Sequence, residues 1–146
     1  GEQHTVLLVS DGRAVGCGSN AGGKCIFPEA EDGVVYVQVS AGISHTVLLR
    51  SDGRAVACGW NGYDQCSIPE PEGTVTYLQV AAGGFHTVLL RSDGRTAACG
   101  SFAFGQCSIP EPENGIVYSQ VSAGRTHTVL LRSDGRAVAC GQNNDG

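Results

Sequence analysis

The chain has 146 residues, with nine Lys and Arg against fourteen Asp and Glu, for a net charge of −5. That balance leaves no basic footprint for nucleic acid or an anionic lipid surface. No apolar run approaches the ~20 residues that cross a bilayer, and no amino-terminal stretch has a secretory-signal pattern.

The segment His45-Thr46-Val47-Leu48-Leu49-Arg50-Ser51-Asp52-Gly53-Arg54-Ala55-Val56-Ala57-Cys58-Gly59 returns from His4, His86 and His127, at a constant interval of 41 residues. This divides the chain into units 1–41, 42–82, 83–123 and a partial 124–146, about three and a half copies. Such a period marks a stacked array, a solenoid or a propeller. A unit this short cannot bury a core alone, so each copy must be stabilised by its neighbours. Gly1 aligns with Gly42, which in the next copy follows directly on a strand, and Asn143–Gly146 falls inside a loop that continues in the other copies. The chain is therefore expected to be a piece of a longer array or a processed chain.

Residues 34–75 sample one period in chain order. Val34–Ala41 is rich in β-branched and aromatic residues and predicts a strand. Gly42 breaks it, and His45–Arg50 predicts a second. Asp52-Gly53 between two apolar runs predicts a tight hairpin with positive φ at both central positions, leading into a third strand over Arg54–Cys58. The second and third strands are apolar on both faces, as expected of a small sheet sandwiched between two others. A Gly- and Asn-rich loop follows, then Pro69-Glu70-Pro71-Glu72, whose prolines forbid a central strand and predict an exposed, acidic outer connection. No segment shows helical periodicity. The expectation is all-β, with three-stranded antiparallel blades about an axis.

The pattern Val-x-Ala-Gly-x-x-His-Thr-x-x-Leu-x-x-Asp-Gly-x-x-x-x-x-Gly-x-Asn-x-x-Gly-Gln, fullest from Val39 to Gln65 and repeated through the chain, resembles the regulator-of-chromosome-condensation repeat family. The short units are most similar to the compact bacterial members that inhibit β-lactamases. The resemblance implies a β-propeller of seven blades, of which this chain is about half, the rest coming from further sequence or from self-association. It also implies a binding platform without naming what is bound. Cys58 and its equivalents stand where the family often has Trp, Cys66 where it has Leu, Asp64 replaces the loop Gly and Phe102 the loop Asn.

Cys17/Cys25, Cys58/Cys66 and Cys99/Cys107 share a Cys-x7-Cys spacing, and the mate of Cys140 would fall beyond the last residue. One reading is a disulfide in each unit, closing about nine residues for roughly 2–3 kcal/mol. The other is a pair of small buried side chains. Paired, they suit an oxidising or organelle-lumenal compartment; reduced, they suit the cytosol. No ligand spacing points to zinc or another cofactor. The four histidines occupy one repeat position, each beside a constant Thr and with no acid or nucleophile beyond what every copy has, which predicts a structural bond to a neighbouring turn's backbone and no enzyme.

Function is sought where the copies differ. Trp60, Tyr63, Phe102 and Phe104 lie in the loop after the third strand, and Ile43, Phe85 and Arg125 in the connection between the first two. Strand direction puts both loops at one end of the blades. Aromatic and Arg side chains gathered on one face are the usual anchors of a protein interface. The expected function is a non-catalytic protein-interaction module or a subunit of a larger assembly. The alternative is guanine-nucleotide exchange on a small GTPase, as in some members of the family it resembles. That activity would call for acidic loop residues, of which the variable loops offer Asp64 and Asp145.

Overall fold

The structure is a computed structural model and describes residues 1–31, 33–113 and 115–143. Among the described residues eleven strands run in chain order: β1 (His4–Leu8), β2 (Ala14–Gly18), β3 (Tyr36–Ala41), β4 (His45–Arg50), β5 (Ala55–Gly59), β6 (Tyr77–Ala82), β7 (His86–Arg91), β8 (Thr96–Gly100), β9 (Tyr118–Ala123), β10 (His127–Arg132) and β11 (Ala137–Gly141). They form a two-stranded sheet, β1-β2, and three antiparallel three-stranded sheets, β3-β4-β5, β6-β7-β8 and β9-β10-β11. Each complete sheet takes its first strand from the end of one 41-residue unit and its other two from the next. The sheets stack as the blades of a partial β-propeller. β3, β6 and β9 lie beside one another as the inner strands, and the middle strand of each blade packs on the inner strand of the next.

This stacking explains why the middle strands carry Val and Leu on both faces. Val47 and Leu49 on β4 pack with Tyr77, Val80 and Leu89 of the following blade. Val88 and Leu90 point the other way, against Tyr118, Val121 and Leu130. Leu48, Leu89 and Leu130 are wholly buried. Alternate residues of one strand thus serve two different interfaces, and both faces carry apolar side chains.

The hairpins differ in one respect from the sequence expectation. The Gly53 amide donates to the Arg50 carbonyl at 3.0 Å and the Arg50 amide to the Arg54 carbonyl at 2.8 Å. Gly53 has φ +78°, whereas Asp52 is not among the positive-φ residues. The loop is therefore three residues, Ser51-Asp52-Gly53, a type I turn closed by a left-handed glycine. The Asp52 carboxylate suits that turn by accepting from the Arg54 amide at 3.1 Å and from Arg50 Nη2 at 2.7 Å. Glycine has a second reason to be there, since a Cβ at Gly53 would fall 2.5 Å from Cβ of Thr76 in the next blade.

Polar contacts join the blades as regularly as apolar ones. His4, His45 and His86 each place Nε2 2.9–3.0 Å from Oγ1 of Thr46, Thr87 and Thr128 in the following blade. Those hydroxyls donate to the carbonyls of Lys24, Gln65 and Gln106 at 2.7–2.8 Å. Each hydroxyl hydrogen is committed to a carbonyl, so the imidazole is the donor and carries its proton on Nε2. The histidines bond a side chain of the next unit, rather than the neighbouring backbone that the sequence alone suggested. Nearer the axis, Gln38 Oε1 and Ser40 Oγ accept from the amides of Val80 and Ala82 at 2.9 Å. At the outer edge the Tyr36, Tyr77 and Tyr118 hydroxyls donate to the carbonyls of Pro28, Pro69 and Pro110, fastening the proline-rich return.

Burial, reinforced by neighbouring histidines, pushes His45 and His86 down to about 4, and His4 is lowered for the same first reason. A depressed folded-state value means that the unfolded chain binds more protons as pH drops. Stability is then complete above the unfolded value near 6.5 and is lost as pH falls toward 4. The loss is on the order of 3 kcal/mol for each fully buried ring. Between pH 6.5 and 5 carboxylates contribute little, so the urea midpoint is expected to fall across that window and to fall less in His45→Gln. A midpoint flat from pH 7 to pH 5 contradicts the relay.

Candidate functional site

The repeated histidines and cysteines are bonded into the scaffold. All seven cysteines are free thiols, so the cystines considered for Cys17/Cys25, Cys58/Cys66 and Cys99/Cys107 are not formed. The reason is directional. Sγ of Cys58, Cys99 and Cys140 faces the preceding blade and lies 3.5–3.7 Å from the carbonyls of Lys24, Gln65 and Gln106. Sγ of Cys25, Cys66 and Cys107 lies instead by the carbonyls of Ser19, Trp60 and Ser101, that of Cys107 also reaching the Cys99 carbonyl at 3.8 Å. Burial pushes the Cys58, Cys66 and Cys107 thiols up to about 11 and Cys99 to about 12, which suppresses the thiolate that redox chemistry needs. With the cystines unformed, nothing in the cysteines points to an oxidising compartment. Among the described residues no group of three His, Cys, Asp or Glu side chains is arranged to hold a metal, and no helix is long and apolar enough to cross a membrane.

The variable loops behave differently. Trp60 leaves the end of β5 with its amide on the Ser44 carbonyl at 2.9 Å. The loop beyond it is tightly pinned. Asn61 Oδ1 accepts from the Cys66 amide at 2.7 Å, and Gln65 Oε1 from the Tyr63 amide at 3.0 Å. Asp64 takes φ +63° where the family pattern has glycine, and its carboxylate accepts from Ser67 Oγ. Any Cβ at Gly62 would collide with the Trp60 ring, so glycine there lets the indole lie flat over the turn.

The result is a three-ring cluster drawn from two blades. Trp60 and Tyr63 meet edge to face at 5.2 Å, Trp60 and Phe85 at 5.7 Å, and Tyr63 and Phe85 at 5.6 Å. Edge-to-face contacts of this kind add about 0.5–1.5 kcal/mol each beyond the area they bury, so the rings hold one another in place. They are nevertheless not sunk in the core: Trp60 is 42% exposed and Tyr63 51%. Beside them is a cleft of about 430 Å³ walled by Trp60, Phe85 and Ile43, with Glu2 at one side and Lys24 among its lining residues.

Of the seven residues expected at a partner surface, the structure brings Trp60, Tyr63 and Phe85 together, with Ile43 alongside. Arg125 borders a smaller hollow near the axis that also includes Ile43, and its guanidinium meets the Glu2 carboxylate at 3.2 Å. Phe102 and Phe104 stand on the corresponding loop of the next blade, 68% and 50% exposed, without a ring pair to the cluster. Lys24 is absent from the sequence-derived set. The signal was available, because the equivalent residues are Gln65 and Gln106. Asp145 lies outside the described residues.

A family model described as "Regulator of chromosome condensation (RCC1) repeat" matches residues 36–65, 78–106 and 118–146. No curated protein sequence matches. Among solved structures, yeast RCC1 (Prp20) bound to Kap60 is similar at 19% identity and TM-score 0.80, over 95% of this chain and 42% of that one. Human WBSCR16 is similar at 20% and 0.80, over 99% and 47%. Prp20p from Saccharomyces cerevisiae, solved in work on its binding to Gsp1p and histones, is similar at 20% and 0.78, over 97% and 42%. At such identities the likeness is one of fold, and the chain spans less than half the length of these proteins.

Titration with a thiol reagent checks the cysteine assignment. Seven thiols are expected to react in denaturant without reductant. In the native protein exposed Cys17 should react first and buried Cys99 last. A count below seven would restore the cystine reading.

Proposed function

The chain belongs to the regulator of chromosome condensation (RCC1) repeat family, and from that premise we propose that it is a non-catalytic protein-interaction module. Its docking surface is the loop face centred on Trp60, Tyr63 and Phe85, with Ile43 and Arg125 toward the axis and Phe102 and Phe104 extending it outward. The observation that carries this reading is the locked aromatic cluster. Three large rings are pre-ordered by one another and by their loops, so a partner meets them without first freezing them. Rings of this kind, two of them about half exposed and the third, Phe85, lining the adjacent cleft, are what hot spots of protein interfaces are made of. Yeast RCC1 (Prp20) has been solved with a protein partner, Kap60, which favours a protein over a small molecule.

The outer blade faces support continuation of the ring. Leu7 is 56% exposed where its equivalent Leu48 is buried, and Val129 is 37% exposed where Val47 and Val88 are buried. Both flanks thus carry inter-blade surface, suited to further blades from the same polypeptide or from a second copy.

Guanine-nucleotide exchange is the second reading, favoured by the likeness to Prp20p and its binding to Gsp1p. Asp64 fits that role poorly, because its carboxylate is held by Ser67 in shaping the turn. Exchange on a small GTPase is expected to stay at background.

Paired Trp60→Ala and Phe85→Ala changes should leave the fold intact, with an unchanged folded-state circular-dichroism spectrum at the assay temperature, although the melt drops because all three ring pairs are lost. Each hot-spot truncation costs about 2 kcal/mol or more in binding. Proteins retained by the wild type in quantitative affinity capture should therefore be lost with the double variant. Retention of the same set by both proteins contradicts the aromatic face.

A further inference from the structure

The cleft beside the aromatic cluster has a charged side chain in an unusual position. Lys24 is only 4% exposed, yet it is among the residues that line the opening with Trp60, Phe85 and Ile43. Its Nζ has one acceptor among the described residues, the Ile43 carbonyl at 3.4 Å. It forms no ion pair among them. An ammonium has three donors and no acceptor capacity, and a buried one without a counter-ion is costly unless something supplies the charge.

The repeats show that this lysine is not framework. Gln65 and Gln106 hold the equivalent position, and each turns its Oε1 back to close its own loop on the amides of Tyr63 and Phe104. A lysine cannot accept those bonds. In the first unit the loop instead makes a 3-10 turn over Ala21–Gly23, with Gly22 and Gly23 at φ +74° and +80°. Gly22 packs so closely that a Cβ there would lie 3.2 Å from the Trp60 nitrogen. The backbone of Lys24 still serves the relay, its carbonyl accepting from Thr46 like those of Gln65 and Gln106. Only the side chain has been released from structural duty.

Glu2, which also borders the cleft, does not neutralise Lys24. Its carboxylate is taken by Arg125 at 3.2 Å, and both side chains are more than half exposed.

We propose that the cleft is a carboxylate-binding subsite of the docking face, taking an Asp or Glu side chain of a protein partner onto the Lys24 ammonium while flanking apolar partner residues lie against Trp60 and Phe85. The proposal rests on the aromatic face being a docking surface. It adds the kind of partner segment that fits there: an acidic residue beside an apolar one. In a site screened by two rings, a charge-assisted bond from ammonium to carboxylate is stronger than its surface counterpart.

Selection from a random dodecapeptide display library tests it, using wild type, Lys24→Gln and Trp60→Ala as baits. Lys24→Gln restores the residue found at the other two loops, so the fold should hold, with circular dichroism as the check. Wild type should enrich peptides with Asp or Glu next to an apolar residue. Lys24→Gln should keep the apolar preference and lose the acidic one, and Trp60→Ala should lose both. A resynthesised acidic peptide should bind Lys24→Gln at least tenfold more weakly, its amide version should bind wild type equally weakly, and combining the two changes should add nothing. Wild-type selection without acidic enrichment, or a loss below tenfold on Lys24→Gln, overturns the subsite while Trp60-dependent binding leaves the docking face standing. Peptides indifferent to Trp60 overturn the docking face, and the subsite with it.

Discussion

The relay from histidine to threonine to loop carbonyl ties together what hydrophobic burial alone would leave loosely registered. Burial between blades is non-directional and tolerates sliding. A buried imidazole that must give its proton to one hydroxyl, which must give its own to one carbonyl, tolerates none. Each relay takes the ring from one blade, the hydroxyl from the next, and the carbonyl from the loop between them. Removing any member strands a buried polar group, at about 1–3 kcal/mol. The constancy of His and Thr through the copies follows from that geometry.

The same constraint separates scaffold from surface. Positions whose side chains enter the relay, the inner-strand bonds or the inter-blade core cannot vary without cost in every neighbouring blade. Positions in the loops at one end are free of this, and the individual residues of the chain collect there: Trp60, Tyr63, Phe85 and Lys24. Even there the backbone is held, since the Lys24 carbonyl serves the relay like its glutamine equivalents.

Much of this was legible in the residues. The 41-residue interval, the strands, the burial of both faces and the common side of the variable loops all follow from local pattern and strand direction. What escaped was set by contacts across blades. Asp-Gly alone suggested a two-residue turn, but the arginine pairing around Asp52 and the closeness of Thr76 to Gly53 select the three-residue form. The Cys-x7-Cys spacing suggested cystines, but where each sulfur points depends on the adjoining blade. The meeting of Trp60 with Phe85, and the burial of Lys24 beside them, join segments that sequence spacing does not pair.

The three relays join the same residue types, with ring-to-hydroxyl distances of 2.9, 3.0 and 2.9 Å. No relay carries a label saying which blade it belongs to, so β4 would dock against β9 with the chemistry it uses toward β6. The correct succession is thus imposed by the tether between neighbours, which is shorter than any path that skips a blade and so has the least costly loop closure available. Lengthening one connection would weaken that preference and invite mis-threaded or strand-exchanged assemblies. The uniformity that makes this architecture easy to extend also leaves its order of assembly in the keeping of its linkers.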